Sequence, residues 1–276
     1  MTLATLSEVL QPALKGQYAV AGLVTLGWED MRAFAVAAEA EGVPVILQAG
    51  PSCRAHTPLP VLGAMFRNLA DSVSVPVVAH LDHGASADEC RAAIDAGFSS
   101  VMYDGSRLPL EENIALTKQI AAEAHSAGVS CEGEIGFVGY AEGEASDGTD
   151  PQEAERFATE TNVDAMAVSV GNVHLQKTPG AGLDMKRLRT IESLTSVPLV
   201  IHGGSGVPIS ERIMLSQGSN VCKFNIGTEL RMAFGAALRI AVTRDAERFD
   251  RVAILKETHE PMVEATRQVL RAFKPA

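Results

Sequence analysis

The sequence predicts an α/β chain folded as a (β/α)8, or TIM, barrel with a C-terminal helical extension. Three observations carry that prediction. Short apolar, β-branched runs alternate with helical patterns about eight times, and three of the runs open alike, as VPVIL from Val43, VPVVA from Val75 and VPLVI from Val197. No linker, low-complexity tract or composition break divides residues 1–276, which read as a single barrel domain. Alternation of this kind builds a parallel sheet with helices packed on it. Strands that are apolar almost throughout are buried on both faces, which fits a closed barrel better than an open sheet.

The candidate strands are Tyr18–Thr25, Val43–Gln48, Val75–Asp82, Ser99–Tyr103, Val129–Ile135, Val163–Val170, Val197–His202 and Asn220–Asn225. Helix starts are legible between them. Ser86-Ala87-Asp88-Glu89 reads as a capping box, in which a hydroxyl and a carboxylate satisfy amides that the first turn leaves unpaired. Asp150-Pro151-Gln152-Glu153 offers an Asp cap, a proline at the first helical position and an acid in the first turn. Leu110–Ala127 keeps Leu110, Ile114, Thr117, Ala121 and Ala124 on one stripe, as a helix lying on a sheet requires. Gly227–Phe249 and Thr258–Phe273 read as two long helices at the C-terminus. The one long irregular stretch, Gly136–Thr149 after strand five, is rich in glycine and acids and is expected to be a mobile, functional loop.

Bulk properties narrow the function. A formal charge of -11 argues against a general nucleic-acid or anionic-membrane binder, which needs a basic surface. A small phosphorylated metabolite needs only one local positive site. The apolar content is 46%, yet no stretch reaches the roughly 18 consecutive apolar residues that span a bilayer. The opening MTLATLSEVLQPALKG lacks the pattern of an export signal, so a cytoplasmic location is expected. Cys53, Cys90, Cys131 and Cys222 lie more than thirty residues apart, form no CxxC pair and read as reduced, buried thiols.

In such a barrel the carboxyl ends of the strands face the active site, so polar residues there are candidates whatever their separation in sequence. Strand three ends in His80-Leu81-Asp82-His83-Gly84 and strand four in Tyr103-Asp104-Gly105-Ser106; strand five ends in Glu132-Gly133-Glu134-Ile135-Gly136 and strand six in Gly171-Asn172-Val173-His174. Strand seven ends in His202-Gly203-Gly204-Ser205-Gly206 and strand eight in Asn225-Ile226-Gly227-Thr228. His83, His174 and His202 would converge at one rim, and three imidazoles with an open position make a catalytic metal site. His56, His125 and His259 fall outside strand ends. By parity, His80 and Asp82 share one side of strand three while Leu81 and His83 share the other, so Asp82 and His83 must splay near the rim. Asp104 and Glu134 could orient a ligating histidine or hold a second metal position. Two glycine-rich turns, each entering a helix with Ser205 or Thr228 close by, suggest a phosphate cradle at loops seven and eight.

With these motifs in view, the sequence resembles the class II fructose-bisphosphate and tagatose-bisphosphate aldolases over nearly its whole length: YAV at Tyr18, then PVILQ, HLDHG, DGS, EGEIG, GNVH, HGGSG and NIGTEL ending at Leu230. The resemblance implies zinc on His83, His174 and His202, with Asp104 and Glu134 near an alternative metal position. It implies that Asp82 is the acid/base at the aldehyde oxygen and that the loop acid Glu142 moves the proton on the dihydroxyacetone phosphate carbon. Gly203, Ser205, Asn225 and Thr228, with Gly227 in the same turn, match residues that bind the ketone-side phosphate and hydroxyls. A homodimer or homotetramer and a monovalent cation are also implied. No lysine Schiff base is then required, because a cation stabilises the charge that develops on the ketone half.

Departures from the family pattern gather at the aldehyde end. Leu23-Val24 replaces the usual Phe-Asn, Gly50 replaces a serine, and Asp250-Arg251-Val252 replaces Asp-Pro-Arg, displacing the arginine that contacts a distal phosphate. Leu175 stands where a glycine follows the metal histidine, and Gly139-Tyr140 replaces a Gly-Gly pair. These changes weaken the case for fructose 1,6-bisphosphate as the best substrate. The rival readings from sequence are a metal-dependent sugar-phosphate epimerase or isomerase on the same barrel and a non-catalytic partner subunit of an aldolase.

Overall fold

In the computed structural model, which describes residues 2–178, 180, 182–245 and 247–274, all eight expected strands form. They are β1 Val20–Thr25, β2 Val45–Ala49, β3 Val77–Gly84, β4 Ser100–Tyr103, β5 Ser130–Ile135, β6 Ala165–Val168, β7 Leu199–Ile201 and β8 Val221–Ile226. Each pairs in parallel with its sequence neighbour and β1 closes on β8, so the sheet is a TIM barrel. β2, β3 and β7 begin two residues later than the sequence suggests, directly after Pro44, Pro76 and Pro198. Proline has no amide to give the ladder, which fixes where those strands start.

Helix α1 (Leu6–Gly16) precedes β1, and α2 (Trp28–Glu41) follows it. After β2 come α3 (Pro51–His56) and α4 (Leu59–Asp71). Helices α5 (Ala87–Asp95), α6 (Leu110–Ser126), α7 (Pro151–Thr161) and α8 (Met185–Leu194) follow β3, β4, β5 and β6 in turn. A 3-10 turn at Gly204–Gly206 and α9 (Ile209–Ser216) follow β7; α10 (Thr228–Arg244), α11 (Arg251–Lys256) and α12 (His259–Arg271) complete the chain.

Local chemistry explains most boundaries. Asp150 accepts from the amides of Gln152 and Glu153, as expected. Ser86 caps α5 through the Glu89 amide, but the Glu89 carboxylate turns to the Ala85 amide and to Arg54, so the box is only half formed. The first C-terminal helix stops at Arg244, and the short helix α11, capped by Asp250, occupies the segment that the sequence reading left between two long helices. The stretch after strand five is less irregular than expected: Phe137 and Asp147 exchange both backbone hydrogen bonds, and Thr149 donates to the Ile135 carbonyl.

One element that the sequence reading did not resolve closes the bottom of the barrel. Helix α1 buries Leu6, Val9, Leu10 and Ala13 against barrel residues that include Val20, Ile46, Val78, Ala167 and Val200. Burial of its three large side chains contributes about 5–9 kcal/mol as an upper figure. Above this apolar floor the interior turns polar, with Gln48, His80, Ser100, Glu132 and Lys223 all buried. The metal-site candidates lie above that layer. The C-terminal helix packs on α2, where Glu41 accepts ion pairs from Arg267, Arg271 and Lys274.

Candidate metal centre and substrate cavity

The β3–β4 register shifts between Leu81 and Gly84, and His83 takes a left-handed backbone conformation (φ 53°). That irregularity is how two consecutive residues both serve the rim: Asp82 turns into the barrel mouth while His83 faces the other two histidines. A non-glycine residue in this region is strained, and Arg54 on α3 holds it there. Its guanidinium donates to the carbonyls of Ala49 and Asp82 (2.6 Å each) and His83 (3.0 Å), while Nε donates to Glu89 (2.8 Å).

The three imidazoles meet. Ring centroids of His83, His174 and His202 lie 4.6, 5.2 and 5.6 Å apart, and one nitrogen from each falls within 4.8 Å of the others. His83 Nδ1 donates to Asp104 (2.7 Å), which leaves Nε2 as the nitrogen without a carboxylate partner. His202 Nε2 donates to Glu132 (3.2 Å), and its Nδ1 is buried without a hydrogen-bond partner. Glu134 Oε2 lies 3.2 Å from that nitrogen and is likewise buried and unpartnered. Buried polar atoms are seldom left so, because the desolvation cost is not recovered. A ring whose far nitrogen is fixed by one carboxylate, with a second carboxylate beside its near nitrogen, is how a metal-ligating histidine is held. His83, Asp104 and Glu134 form a second donor set of the same compactness.

Electrostatics favour a cation here. Burial works against charge on His202, but Glu134 and Glu132 outweigh it and push its pKa up to about 10. His83 is raised too: burial opposes the charge, and Asp82 and Asp104 prevail. Burial, reinforced by His83 and His202, pushes His174 down to about 3 and keeps that ring neutral. Asp82, buried and accepting from Asn225 Nδ2 (3.1 Å), resists ionisation through burial, yet His83, His202 and Lys223 hold it below the usual carboxylate range. Beneath them, Glu132 accepts from Lys223 Nζ at 2.7 Å, and that ammonium also meets His80 Nε2 at 3.3 Å. His80, driven down to about 3 by burial and Lys223, is a neutral ring that bonds Ser100. It lies inside the barrel, not at the rim.

A cavity of about 310 Å³ opens beside the histidines, lined by Asp82, His83 and His174 on one side and by Gly203, Ser205, Asn225, Gly227 and Thr228 on the other. Ser205 Oγ accepts from the amides of Gly227 (3.2 Å) and Glu229 (3.4 Å), joining loop seven to the start of α10. Gly203 is left-handed (φ 63°), and an added Cβ there would collide with the Val173 carbonyl. Gly22 is required for a different reason: a Cβ would strike Gln48 Oε1 in the barrel interior. Glu142 does not join the cavity. It is exposed, 3.3 Å from Lys177 Nζ.

Comparison with known proteins agrees with this geometry. The family profile described as fructose-bisphosphate aldolase class-II matches residues 4–276. The chain belongs to the class II fructose-bisphosphate aldolase family. It is 38% identical to a fructose-bisphosphate aldolase of Geobacillus stearothermophilus, over 91% of this chain and 89% of the relative. It is 37% identical to the 6-phospho-5-dehydro-2-deoxy-D-gluconate aldolase of Bacillus subtilis (strain 168), over 100% of this chain and 97% of the relative. Among solved structures, the YdjI aldolase of Escherichia coli K12 superposes with a TM-score of 0.85 at 29% identity, covering 99% of this chain and 98% of that one. The fructose-bisphosphate aldolase of Campylobacter jejuni shares the fold, with a TM-score of 0.83 at 22% identity over 97% of this chain and 93% of its own.

As a class II aldolase the chain is a carbon-carbon lyase of a metal-dependent family, and its departures from the family pattern acquire structural meaning. Leu175, in place of a glycine, keeps the left-handed backbone (φ 58°) that glycine adopts without cost. Tyr140, in place of the second glycine of a pair, stacks on the His174 ring at 5.1 Å. The backbone of His174 is clamped on both sides, its amide donating to Gly139 and its carbonyl accepting from Ala141. Sequence reasoning did not find Arg54, Arg231 or the Glu132–Lys223–His80 network. A lysine in an otherwise apolar strand was the one signal for the last. No helix among the described residues is long and apolar enough to cross a membrane.

Proposed function

We propose that this aldolase uses zinc on His83, His174 and His202 to cleave and form a phosphorylated ketose, releasing dihydroxyacetone phosphate and an aldehyde. The observation that carries the proposal is the trio of converging imidazoles beside buried carboxylates, next to a glycine-lined cavity at a helix start. A divalent ion held there supplies Lewis-acid polarisation of the ketone carbonyl. Asp104 and Glu134 provide the alternative donor set around His83.

The chain's own residues supply the rest. In cleavage, Asp82 accepts the proton of the hydroxyl that becomes the aldehyde, and Asn225 fixes the carboxylate by donating to one of its oxygens. Gly203, Ser205, Gly227 and Thr228 hold the ketone-side phosphate, where a helix start favours an anion. Glu142 delivers a proton to the carbon left on the ketone half after its loop moves inward. That motion would break the exposed ion pair of Glu142 with Lys177, which costs little, and would also disturb the Glu144–Arg107 pair beside it. Assembly as a homodimer or homotetramer, use of a monovalent cation and a cytoplasmic setting belong to the same reading.

The two relatives' names do not choose the ketose, since a bisphosphate aldolase and a phosphogluconate-type aldolase are almost equally similar. Val24 and Gly50 lie in the cavity lining where the family carries polar side chains, so a second phosphate finds fewer partners there. The test is metal analysis of the purified protein with a coupled triose phosphate assay on 1-phosphorylated and bisphosphorylated ketoses, before and after chelation. Activity lost to chelator and regained with zinc is expected. Triose release from no ketose, or indifference to chelator, refutes the proposal.

A further inference from the structure

Arg231 is the only lysine or arginine among the described residues that line the cavity. It is half-buried; its Nε is shielded from solvent without a hydrogen-bond partner, and its side chain forms no ion pair among the described residues. By contrast, Arg54 and Arg212, the neighbouring guanidinium groups, are each tied to a glutamate and to backbone carbonyls. Arg231 stands three residues after Thr228 on α10, hence on the same face and one turn further along. It shares the cavity wall with Val24 on β1 and with Gly50, Pro51 and Ser52 just after β2, which places it toward the ends of those strands. Both Asp30 carboxylate hydrogen bonds run to the amides of Leu26 and Gly27, so Asp30 does not claim the guanidinium. That side of the cavity is also where Val24 and Gly50 have removed polar groups.

We infer that Arg231 is a specificity-determining residue that reads a terminal carboxylate on the aldehyde half of the ketose. The inference rests on the proposed aldolase reading and deepens it. A lone guanidinium with no second cation beside it balances one negative charge, which suits a carboxylate better than a phosphate dianion. Its planar fork also matches carboxylate oxygens two by two. The ketone-side phosphate has its own cradle in loops seven and eight, so one end of the substrate is held by backbone and hydroxyls and the other by Arg231.

Binding separates this from catalysis. Titration calorimetry on the zinc-loaded protein compares three uncleavable six-carbon ligands: 6-phosphogluconate, sorbitol 6-phosphate and a hexitol 1,6-bisphosphate. The first two differ only in a carboxylate against a hydroxymethyl end. The wild type is expected to prefer the acid-ended ligand by about tenfold to a hundredfold, Arg231→Gln to erase that preference and Arg231→Lys to keep part of it. The inference is overturned if the acid-ended ligand shows no preference or no measurable binding to the wild type. It is also overturned if Arg231→Gln weakens both monophosphates by the same factor, because the residue then serves the ketone-side phosphate, or if the bisphosphate binds more than tenfold tighter than the acid. End discrimination without triose release from any ketose would sink the aldolase substrate reading alone; triose release without end discrimination would sink this inference alone.

Discussion

Glu132→Gln tests whether the polar layer under the metal centre sets the tautomer of His202. Glu132 is wholly buried and serves two donors, Lys223 Nζ at 2.7 Å and His202 Nε2 at 3.2 Å, one on each carboxylate oxygen. A glutamine of the same shape has one acceptor oxygen for both. If Lys223 keeps it, the amide NH2 faces His202 Nε2, which must become an acceptor, so the ring proton moves to Nδ1 and points at the metal position. Loss of such an outer partner costs about 10- to 100-fold in metal affinity, or about 1.4–2.8 kcal/mol. The same change leaves the Lys223 ammonium buried without a counter-charge, which costs about 3–5 kcal/mol of stability. For a chain of this size that lowers the melting temperature by roughly 6–20 °C. Zinc affinity is read by competition with a chromophoric chelator, and stability by urea unfolding of the metal-free protein. The double variant Glu132→Gln with Lys223→Met frees the amide oxygen for His202 and removes the orphan charge, so both properties should recover most of their loss. Wild-type zinc affinity in the single variant, whatever its stability, would refute the tautomer argument.

Arg54→Met should lower stability by about 2–4 kcal/mol and weaken zinc binding, because three rim carbonyls lose a charged donor and His83 loses the clamp on its left-handed backbone; equal zinc affinity would show that the clamp is dispensable. Leu175→Gly should raise stability by up to about 1 kcal/mol in urea unfolding, since relief of the left-handed strain exceeds the added chain entropy; a loss of more than about 1 kcal/mol would contradict this. Glu41 is held down to about 2 by Lys274 and Arg271, then Arg267. Its stabilisation is therefore complete above the ordinary carboxylate pKa near 4.5 and is lost as pH falls through about 2, so in urea unfolding Glu41→Gln should cost about 1–2 kcal/mol at pH 7 and progressively less as the pH is lowered from 4.5 toward 2. Metal uptake must displace the proton that Glu134 and Glu132 hold on His202, so zinc affinity should climb between pH 6 and pH 9; a flat profile would mean that His202 is already neutral.

What could be read from sequence follows a physical pattern. The βα rhythm locates strand ends, and in a closed barrel strand ends share one rim, so His83, His174 and His202 could be brought together from positions far apart in the chain. The prolines that fix the starts of β2, β3 and β7 were in view, and only their consequence for the ladder was missed. Helix α1 was marked by Thr5 and Glu8, which form a reciprocal capping box, but a segment ahead of the first strand has no place in the repeat. Other features were out of reach for a stronger reason. Lys223 meets Glu132 across the barrel interior, a distance set by closure of β8 on β1 and not by any local spacing. Arg54 and Arg231 act through side chains that extend several ångströms from their own elements, and sequence gives the residue without its direction. Glu142 shows the converse: the motif is plain, and the loop holds it outside the cavity.

The charges around the centre explain why this barrel tolerates a polar interior at all. Asp82, Asp104, Glu132 and Glu134 gather four carboxylates near three imidazoles, with Lys223 the only fixed cation among them. Such a cluster is costly unless something positive is drawn in. In the bare protein protons play that part, which is why His202 and His83 are both raised while His174, with no carboxylate bonded to its ring, is pushed down. A divalent ion held by His83, His174 and His202 would take over from the protons, drawing on the imidazole lone pairs that they occupied. The anionic end of the substrate must then be kept clear of these acids. The glycine-rich start of α10 and Arg231 follow β8 and line the cavity beside the ends of β1 and β2, away from Asp104, which follows β4, and Glu134 on β5. The barrel thus separates a cluster of acids and imidazoles from a glycine-lined helix start that carries Arg231, and the cavity lies where the proposed ketose phosphate would meet both.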